Sequence, residues 1–115
     1  MGDGDTFPVL LPPAGESRRE LVPGVGTFLA YQVGPIVQIV AWGTRPLNVD
    51  VALAATLIDI FHPEHALIFL QPEIVLPVES TFSVSAAFVS KERLDSVVVW
   101  DKAGKHRVNV QQTPF

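Results

Sequence analysis

The chain has 115 residues, the size of one ordinary domain, and its net charge is −4. It contains no cysteine, which excludes a disulfide framework, thiolate metal sites and cysteine nucleophiles. Only 17% of its residues are charged while 48% are apolar, whereas a typical domain has about 25% charged residues; we therefore expect part of the apolar surface to lie against other subunits of a homo-oligomer.

Charge distribution and apolar run length bear on partners and location. The basic residues are spread along the sequence rather than gathered in a stripe, which argues against nucleic acid as a direct partner. No apolar stretch reaches the roughly 18 to 20 residues that a membrane helix needs. The acidic, proline-containing start lacks the basic and apolar regions of a secretory signal. We expect a soluble, cytoplasmic protein with no membrane partner.

Residues 1–17 predict an extended N-terminal arm, because glycines and prolines there oppose both helix and central strand. A short apolar segment inside the arm would be stabilised by docking on its own body or on a neighbour. Two arginines follow the arm and could pair with carboxylates of a neighbouring subunit. The expected interaction residues are Phe7, Val9, Leu10, Leu11, Arg18 and Arg19. Residues 18–115 are expected to form the folded domain.

The first part of this domain predicts short β-strands. Residues 27–33 and 36–42 flank Gly34-Pro35, a dipeptide suited to a turn or bulge, so they form two strands or one bent strand. Residues 48–61 are ambiguous, because consecutive alanines favour helix while apolar residues also recur with period two. We prefer a long strand with a bulge for this stretch.

The second part continues the pattern. Residues 66–71 and 73–78 surround Pro72 and predict two short strands near an edge or corner. Residues 80–90 alternate large apolar with small polar side chains, which predicts a strand with one buried face. Residues 96–100 and 106–110 are joined by a turn in which Gly104 is free to take positive φ.

These runs predict an all-β domain. About eight short strands with frequent turn signals are typical of a single antiparallel β-sandwich, jelly roll or barrel. We therefore expect a β-sandwich or jelly-roll-like domain preceded by the extended arm.

The segment His-Pro-Glu-His at 62–65 is the main candidate for a metal site. Proline at the second position favours a turn whose first and fourth residues lie within about 7 Å, so His62 and His65 could approach one ion. A zinc ion typically needs further protein ligands, and only Asp59, Glu64 or the distant His106 could complete the set. The alternative is a solvated turn between two apolar strands, which we prefer; no metal or other cofactor is expected.

Other motifs do not select a catalytic set. The start "GDGDT" places Phe7 and Pro8 where a calcium loop needs a ligand and a glycine. The run 24–29, "GVGTFL", lacks the third glycine of a dinucleotide fingerprint. Three serines could be combined with a histidine and an aspartate as a triad, but no nucleophile elbow is present. These serines are Ser80, Ser83 and Ser85. We expect that the protein is not an enzyme.

Residues 72–90, "PEIVLPVESTFSVSAAFVS", combine an apolar run, a turn marked by proline and a strand with alternating serines. This run resembles stretches of phage and virus particle accessory proteins, namely decoration, cement or tail-associated β-sandwich or jelly-roll subunits. The resemblance implies a trimer or dimer on a protein lattice, located in the virion and bound to proteins such as a major capsid protein. The leading hypothesis is a structural, self-associating virion protein, with residues 7–13 as a clasp.

Two alternatives remain open. A carbohydrate- or ligand-binding β-module would need Tyr31, Trp42 and Trp100 exposed on one groove. A small metal-dependent β-barrel enzyme would need a stoichiometric metal bound through His62 and His65.

Overall fold

The computed structural model describes residues 20–56 and 63–112. All secondary structure within these ranges is β, as the alternating patterns predict. The strands are β1 (Glu20–Pro23), β2 (Thr27–Val33), β3 (Ile36–Pro46), β4 (Asp50–Ala55), β5 (His65–Gln71), β6 (Glu79–Val89), β7 (Ser96–Asp101) and β8 (Gly104–Gln112). Within the same ranges, no helix is long and apolar enough to span a membrane. The N-terminal arm of residues 1–17 lies outside the described residues.

The eight strands form one curled, mixed sheet. Their order is β1-β5-β7-β8-β2-β3-β6, and β4 pairs with the other edge of β5. Most neighbours are antiparallel, but β2 pairs with β8, and β5 with β7, in parallel. The expectation of a purely antiparallel sheet is therefore wrong. Parallel pairing joins strands distant in sequence, and local periodicity carries no signal for it.

Strand β8 joins the two halves of the sheet. Its first part, Gly104 to Asn109, pairs with β7, and Val110 to Gln112 pair with β2. One half therefore contains β1, β4, β5 and β7, while the other contains β2, β3 and β6. We call these the β5 half and the β3 half.

Two predicted turns are confirmed. The ladder between β2 and β3 runs to the pair Val33 and Ile36, which leaves Gly34 and Pro35 as a two-residue hairpin loop. Gly34 has φ of 57°, as a type II′ turn needs at its first central position. The β7–β8 hairpin turns through Gly104, whose φ is 116°.

Within the ambiguous stretch 48–61, the middle is strand, whereas residues 48, 49 and 56 are not. Asp50 to Ala55 pair with β5 in unbroken register, from Asp50 opposite Leu70 to Ala55 opposite His65. Residues 57–61 of the predicted strand lie outside the described residues.

The predicted strand at 73–78 is wrong, because the segment belongs to no ladder. It is held instead by the side chain of Asn48, whose Nδ2 donates to the carbonyl of Ile74 at 2.6 Å. The Oδ1 of Asn48 accepts the amide of Leu76 at 3.0 Å. Prolines at 72 and 77 remove two amide donors from the segment, which weakens any ladder. Conversely, β1 is a strand that the sequence pattern did not predict.

The interior lies between the two halves of the curled sheet. Val37, Ile39 and Val99 form one buried cluster, and Leu67, Phe69 and Phe82 belong to a second. Phe28 and Leu53 contact both clusters, so the interior is continuous. The opposite face of the β5 half is also buried, at Ala66, Ile68 and Trp100. Burial on both faces explains why β5 reads as an uninterrupted apolar run.

Candidate functional site

His65 of the 62–65 segment is placed differently from the prediction of a solvated turn. His62 lies outside the described residues. His65 is the first residue of β5, is 2% exposed and stacks on Phe88 with ring centroids 5.7 Å apart. Its Nδ1 is buried and has no hydrogen-bond partner within residues 20–56 and 63–112. Burial lowers the pKa of His65 from its usual 6.5, because the charged imidazolium is desolvated.

Of the other expected metal ligands, Asp59 lies outside the described residues, and Glu64 and His106 are bonded to other side chains. Glu64 accepts the indole N–H of Trp100 at 2.7 Å. Across the sheet His65 pairs with Val99, which in turn pairs with His106. The imidazole of His65 stacks on Phe88, whereas that of His106 is bonded to Asp101 at 2.6 Å. In residues 20–56 and 63–112, no three histidine or acidic side chains are grouped to hold a metal ion.

His106 forms a close pair with Asp101, and the sequence reasoning missed this pair. Its Nε2 lies 2.6 Å from Oδ1 of Asp101, which is 4% exposed. The same Oδ1 accepts the amide of Ala103 at 2.8 Å. A carboxylate can only accept, so the imidazole donates its Nε2–H. The signal was available, since the two residues stand either side of the predicted turn.

Two of the three serines considered for a triad, Ser83 and Ser85, face away from this pair. They are exposed on β6 and alternate with Phe82 and Val84, which belong to the interior. Asp101 alternates in step with Val99, and His106 with Val108, and both valines pack in the interior. Ser83 and Ser85 therefore lie on the opposite face of the sheet from the imidazole. Asp101 and His106 have the geometry of a cap on the β7–β8 turn.

The outer face of the β3 half carries several exposed apolar side chains. We define the outer face as the side chains of β2, β3 and β6 that alternate with the buried ones. They are Thr27, Leu29, Tyr31 and Val33 on β2, Ile36, Gln38, Val40, Trp42, Thr44 and Pro46 on β3, and Glu79, Thr81, Ser83, Ser85, Ala87 and Val89 on β6. Among them only Glu79, at the start of β6, is charged.

The side chains of the outer face are partly exposed to solvent and differ in size from strand to strand. Val89 is 69% exposed and Ile36 is 45% exposed, and the two are direct partners in the β3–β6 ladder. Val33 pairs with Ile36 on the other side, so three apolar side chains form one row. Large side chains follow β2 and β3, whereas β6 presents mainly small ones.

A second apolar surface is the loop at 72–78. Its exposed side chains are Ile74, Val75, Leu76 and Val78, and Leu47 joins them from the β3–β4 connection. The amide of Leu47 donates to the carbonyl of Val78 at 2.7 Å. With the two Asn48 bonds, this contact fixes the loop while leaving its apolar side chains in solvent.

The three aromatic residues expected in a ligand groove do not share one. Trp42 is 41% exposed and Tyr31 is partly exposed, both on the outer face. Trp100 is 2% exposed in the β5 half, where its indole is bonded to Glu64 and lies 5.8 Å from Nζ of Lys105.

A cavity of about 710 Å³ lies between the end of β6 and the connection 90–95. Its described lining includes Phe88, Leu94 and Val97, with Glu64, Lys91 and Arg107 among its charged members.

Two glutamines fix the connection beside this cavity. Gln32, which is buried, donates to the carbonyl of Glu92 and accepts the amide of Leu94, each at 3.0 Å. Gln112 donates to Gln32 Oε1 and to the carbonyl of Leu94, each at 2.9 Å. The 90–95 connection, which forms one wall of the cavity, is therefore held by side-chain hydrogen bonds from Gln32 on β2 and Gln112 on β8.

The interaction residues expected in the N-terminal segment lie outside the described residues. They are Phe7, Val9, Leu10, Leu11, Arg18 and Arg19. The outer face and the 72–78 loop were not identified as surfaces from the sequence. The sequence did carry a signal for the outer face, because the outward-facing side chains of β6 from Thr81 to Ala87 are small and uncharged.

Comparison with known proteins gives no match: no family model, no curated protein and no solved structure matches this chain.

Proposed function

We propose that this chain is a structural, self-associating subunit of the kind that decorates or cements a virus particle or belongs to its tail. In this proposal its work is burial of apolar surface between subunits, and it has no catalytic role. The two halves of the curled sheet would act as the layers of a sandwich or jelly-roll-like domain. The partners would be further copies of the chain and other virion proteins, such as a major capsid protein.

Clustering of exposed apolar side chains carries the proposal. Monomeric proteins usually scatter such residues singly. Here every large hydrophobic residue that is exposed in the described ranges, apart from Val25, belongs to the outer face or to the 72–78 loop with Leu47. Two separate apolar surfaces on one small domain suit a subunit that has more than one neighbour.

The resemblance supports the same proposal from another direction. The stretch 72–90 comprises the 72–78 loop and strand β6, so it contributes to both apolar surfaces. In our proposal the outer face meets other copies, and the loop meets a different lattice protein. Residues 7–13 act as a clasp, and Arg18 and Arg19 pair with carboxylates of a neighbour.

Sedimentation of the full chain over a wide concentration range tests self-association. We expect the average mass to rise above that of the 12.5 kDa chain. A strict monomer throughout would contradict the proposal. Deleting residues 1–15 should weaken lattice binding and leave the circular dichroism of the β-domain unchanged. Unchanged lattice binding would remove the clasp.

The cavity favours a second candidate, a ligand-binding β-module. Its volume of about 710 Å³ lies within the roughly 300 to 1,000 Å³ of small-molecule sites. A titration with an apolar fluorescent dye would test it. Saturable binding that Leu94→Asp abolishes, while Ala103→Asp does not, would support this candidate.

The third candidate, a metal-dependent enzyme, needs metal held through His62 and His65. Elemental analysis of purified protein tests it directly. A stoichiometric metal that His65→Phe removes would favour it over the structural role.

A further inference from the structure

We infer that the outer face binds the same face of a second copy, about a two-fold axis that runs along the strands between β3 and β6. This inference rests on the proposed function and names its partner and geometry. In this arrangement β3 of each copy lies over β6 of the other. The two β3 halves then stack as two sheets with their strands nearly aligned.

The first argument is that the raised and hollow parts of the outer face can fit those of a second copy. An isologous contact requires one surface to fit itself, so raised parts must meet hollow parts of the same surface. The β3 side of the outer face carries Ile36, Val40 and Trp42, whereas the β6 side carries Ser83 and Ser85. A ridge therefore runs beside a trough, and turning one copy over places each ridge on the other copy's trough.

The second argument is the register of the β3–β6 ladder. Trp42 is the direct partner of Ser83, and Val40 is the direct partner of Ser85. A two-fold axis along the strands keeps each row at the same height, so Trp42 of one copy lies over Ser83 of the other. Val40 likewise lies over Ser85, which places a large side chain against a small one in both rows.

The third argument is charge. The rows from Ile36 to Thr44 carry no charged side chain, and only Glu79, in the last row of the outer face, is charged, so contact between the uncharged rows desolvates no ion. The whole chain carries a net charge of −4, and two copies therefore repel each other at long range. Contact centred on the uncharged rows leaves Glu79 at the end of the interface.

The size of the face sets the expected strength. In this arrangement two strands, β3 and β6, overlap the other copy; at about 4.8 Å per strand and with five rows about 7 Å apart, they give a footprint of roughly 10 by 28 Å, or about 280 Å². A standard interface buries about 800 Å² on each partner. We therefore expect a reversible, concentration-dependent dimer rather than a permanent one.

Sedimentation equilibrium of the full chain and of Ser85→Lys tests the inference. Ser85 is exposed, so the substitution leaves the interior unchanged. Near the two-fold axis the two lysines approach each other, and like charges there should raise the dimer Kd at least about tenfold. Ala103→Lys adds the same charge in the exposed β7–β8 turn and should leave the Kd unchanged within about twofold.

A charge-swap mixture makes the test specific to this geometry. Ser85→Glu alone should also weaken the dimer, because two carboxylates meet near the axis. Mixing Ser85→Lys with Ser85→Glu should restore association as a heterodimer, since opposite charges then face each other. A nonspecific loss of stability would not be reversed by mixing.

Two results would overturn the inference, and they differ in whether the proposed function survives. If Ser85→Lys dimerises as well as the unmodified chain, self-association uses another surface, such as the edge of β6, and the proposed function survives. If the unmodified chain stays monomeric at every concentration, the inference and the proposed self-association fail together.

Discussion

Asp101 and His106 are joined across the β7–β8 hairpin by a bond of 2.6 Å between Oδ1 and Nε2. The same buried carboxylate oxygen accepts the amide of Ala103 inside the turn. One acidic side chain therefore fixes both the turn and the first residues of β8.

Replacing Asp101 with alanine should lower the free energy of unfolding by about 1 to 3 kcal/mol, because both donors lose their acceptor. Urea unfolding followed by tryptophan fluorescence measures the change. Lys102→Ala, in the same turn but exposed, should change stability by less than about 0.5 kcal/mol. Equal losses in the two variants would mean that the carboxylate has no special role.

Asn48→Ala should release the 72–78 loop without altering its apolar side chains. The Leu76 amide is held by Asn48 Oδ1 at 3.0 Å, so its hydrogen exchange should accelerate at least about tenfold while amides in β6 keep their protection. Global stability should fall by only about 1 kcal/mol, because these bonds are exposed. NMR exchange rates measure both effects, with Asn109→Ala as control. Unchanged exchange at Leu76 would show that the asparagine does not hold the loop.

Gln32→Leu should be among the most destabilising changes to a polar residue. It leaves the amide of Leu94 and the carbonyl of Glu92 without their present partner, at a cost of about 3 kcal/mol in total. Thermal and urea unfolding measure the loss. Gln111→Leu, on the neighbouring exposed position of β8, is the matched control. If both variants unfold alike, the buried amide is not what fixes the 90–95 connection.

Stability should depend on pH through His65. Burial keeps the pKa of His65 below its usual 6.5 in the folded chain, so the unfolded chain binds the proton more readily. The contribution of the neutral imidazole is fully present above about pH 6.5. It is lost as the pH falls from there towards the folded pKa, at up to about 1.4 kcal/mol per pH unit.

His65→Phe provides the comparison for this titration. Phenylalanine preserves an aromatic contact with Phe88 and removes the buried unpaired Nδ1. Urea unfolding between pH 7 and pH 5 should therefore show a shallower loss of stability in the variant. Identical slopes in both chains would assign the pH dependence to other groups.

Local patterns in the sequence predicted the strands and turns that depend on neighbouring residues. Gly34-Pro35 and Gly104 mark the two hairpin turns, and the alternation around Phe82 marks β6. The predicted strand at 73–78 failed because Asn48, remote in sequence, supplies the hydrogen bonds that a strand would have taken from a ladder. The strand propensity of a segment cannot reveal a hydrogen bond to a residue that is distant in sequence.

The candidate surface was harder to predict than the strands. Alternation showed that β6 has a small, polar side, but only the register places Ser83 beside Trp42 and Ser85 beside Val40. The pairs of β2 with β8 and of β5 with β7 are likewise non-local. Which faces become surface, and which strands share them, follows from these distant pairings.

Strand β8 also sets the order in which the domain can be completed during synthesis. It follows every other described strand along the chain and provides the ladder contacts that connect β7 to β2. A nascent chain that has not yet released Gly104 to Gln112 from the ribosome can form the β2–β3–β6 sheet and the β4–β5 pair. It cannot yet connect β7 to β2 by a ladder, because that connection runs through β8. The part of the interior that Val108 and Val110 cover therefore stays open to solvent until β8 emerges, and during that interval the chain is most exposed to aggregation and to chaperones.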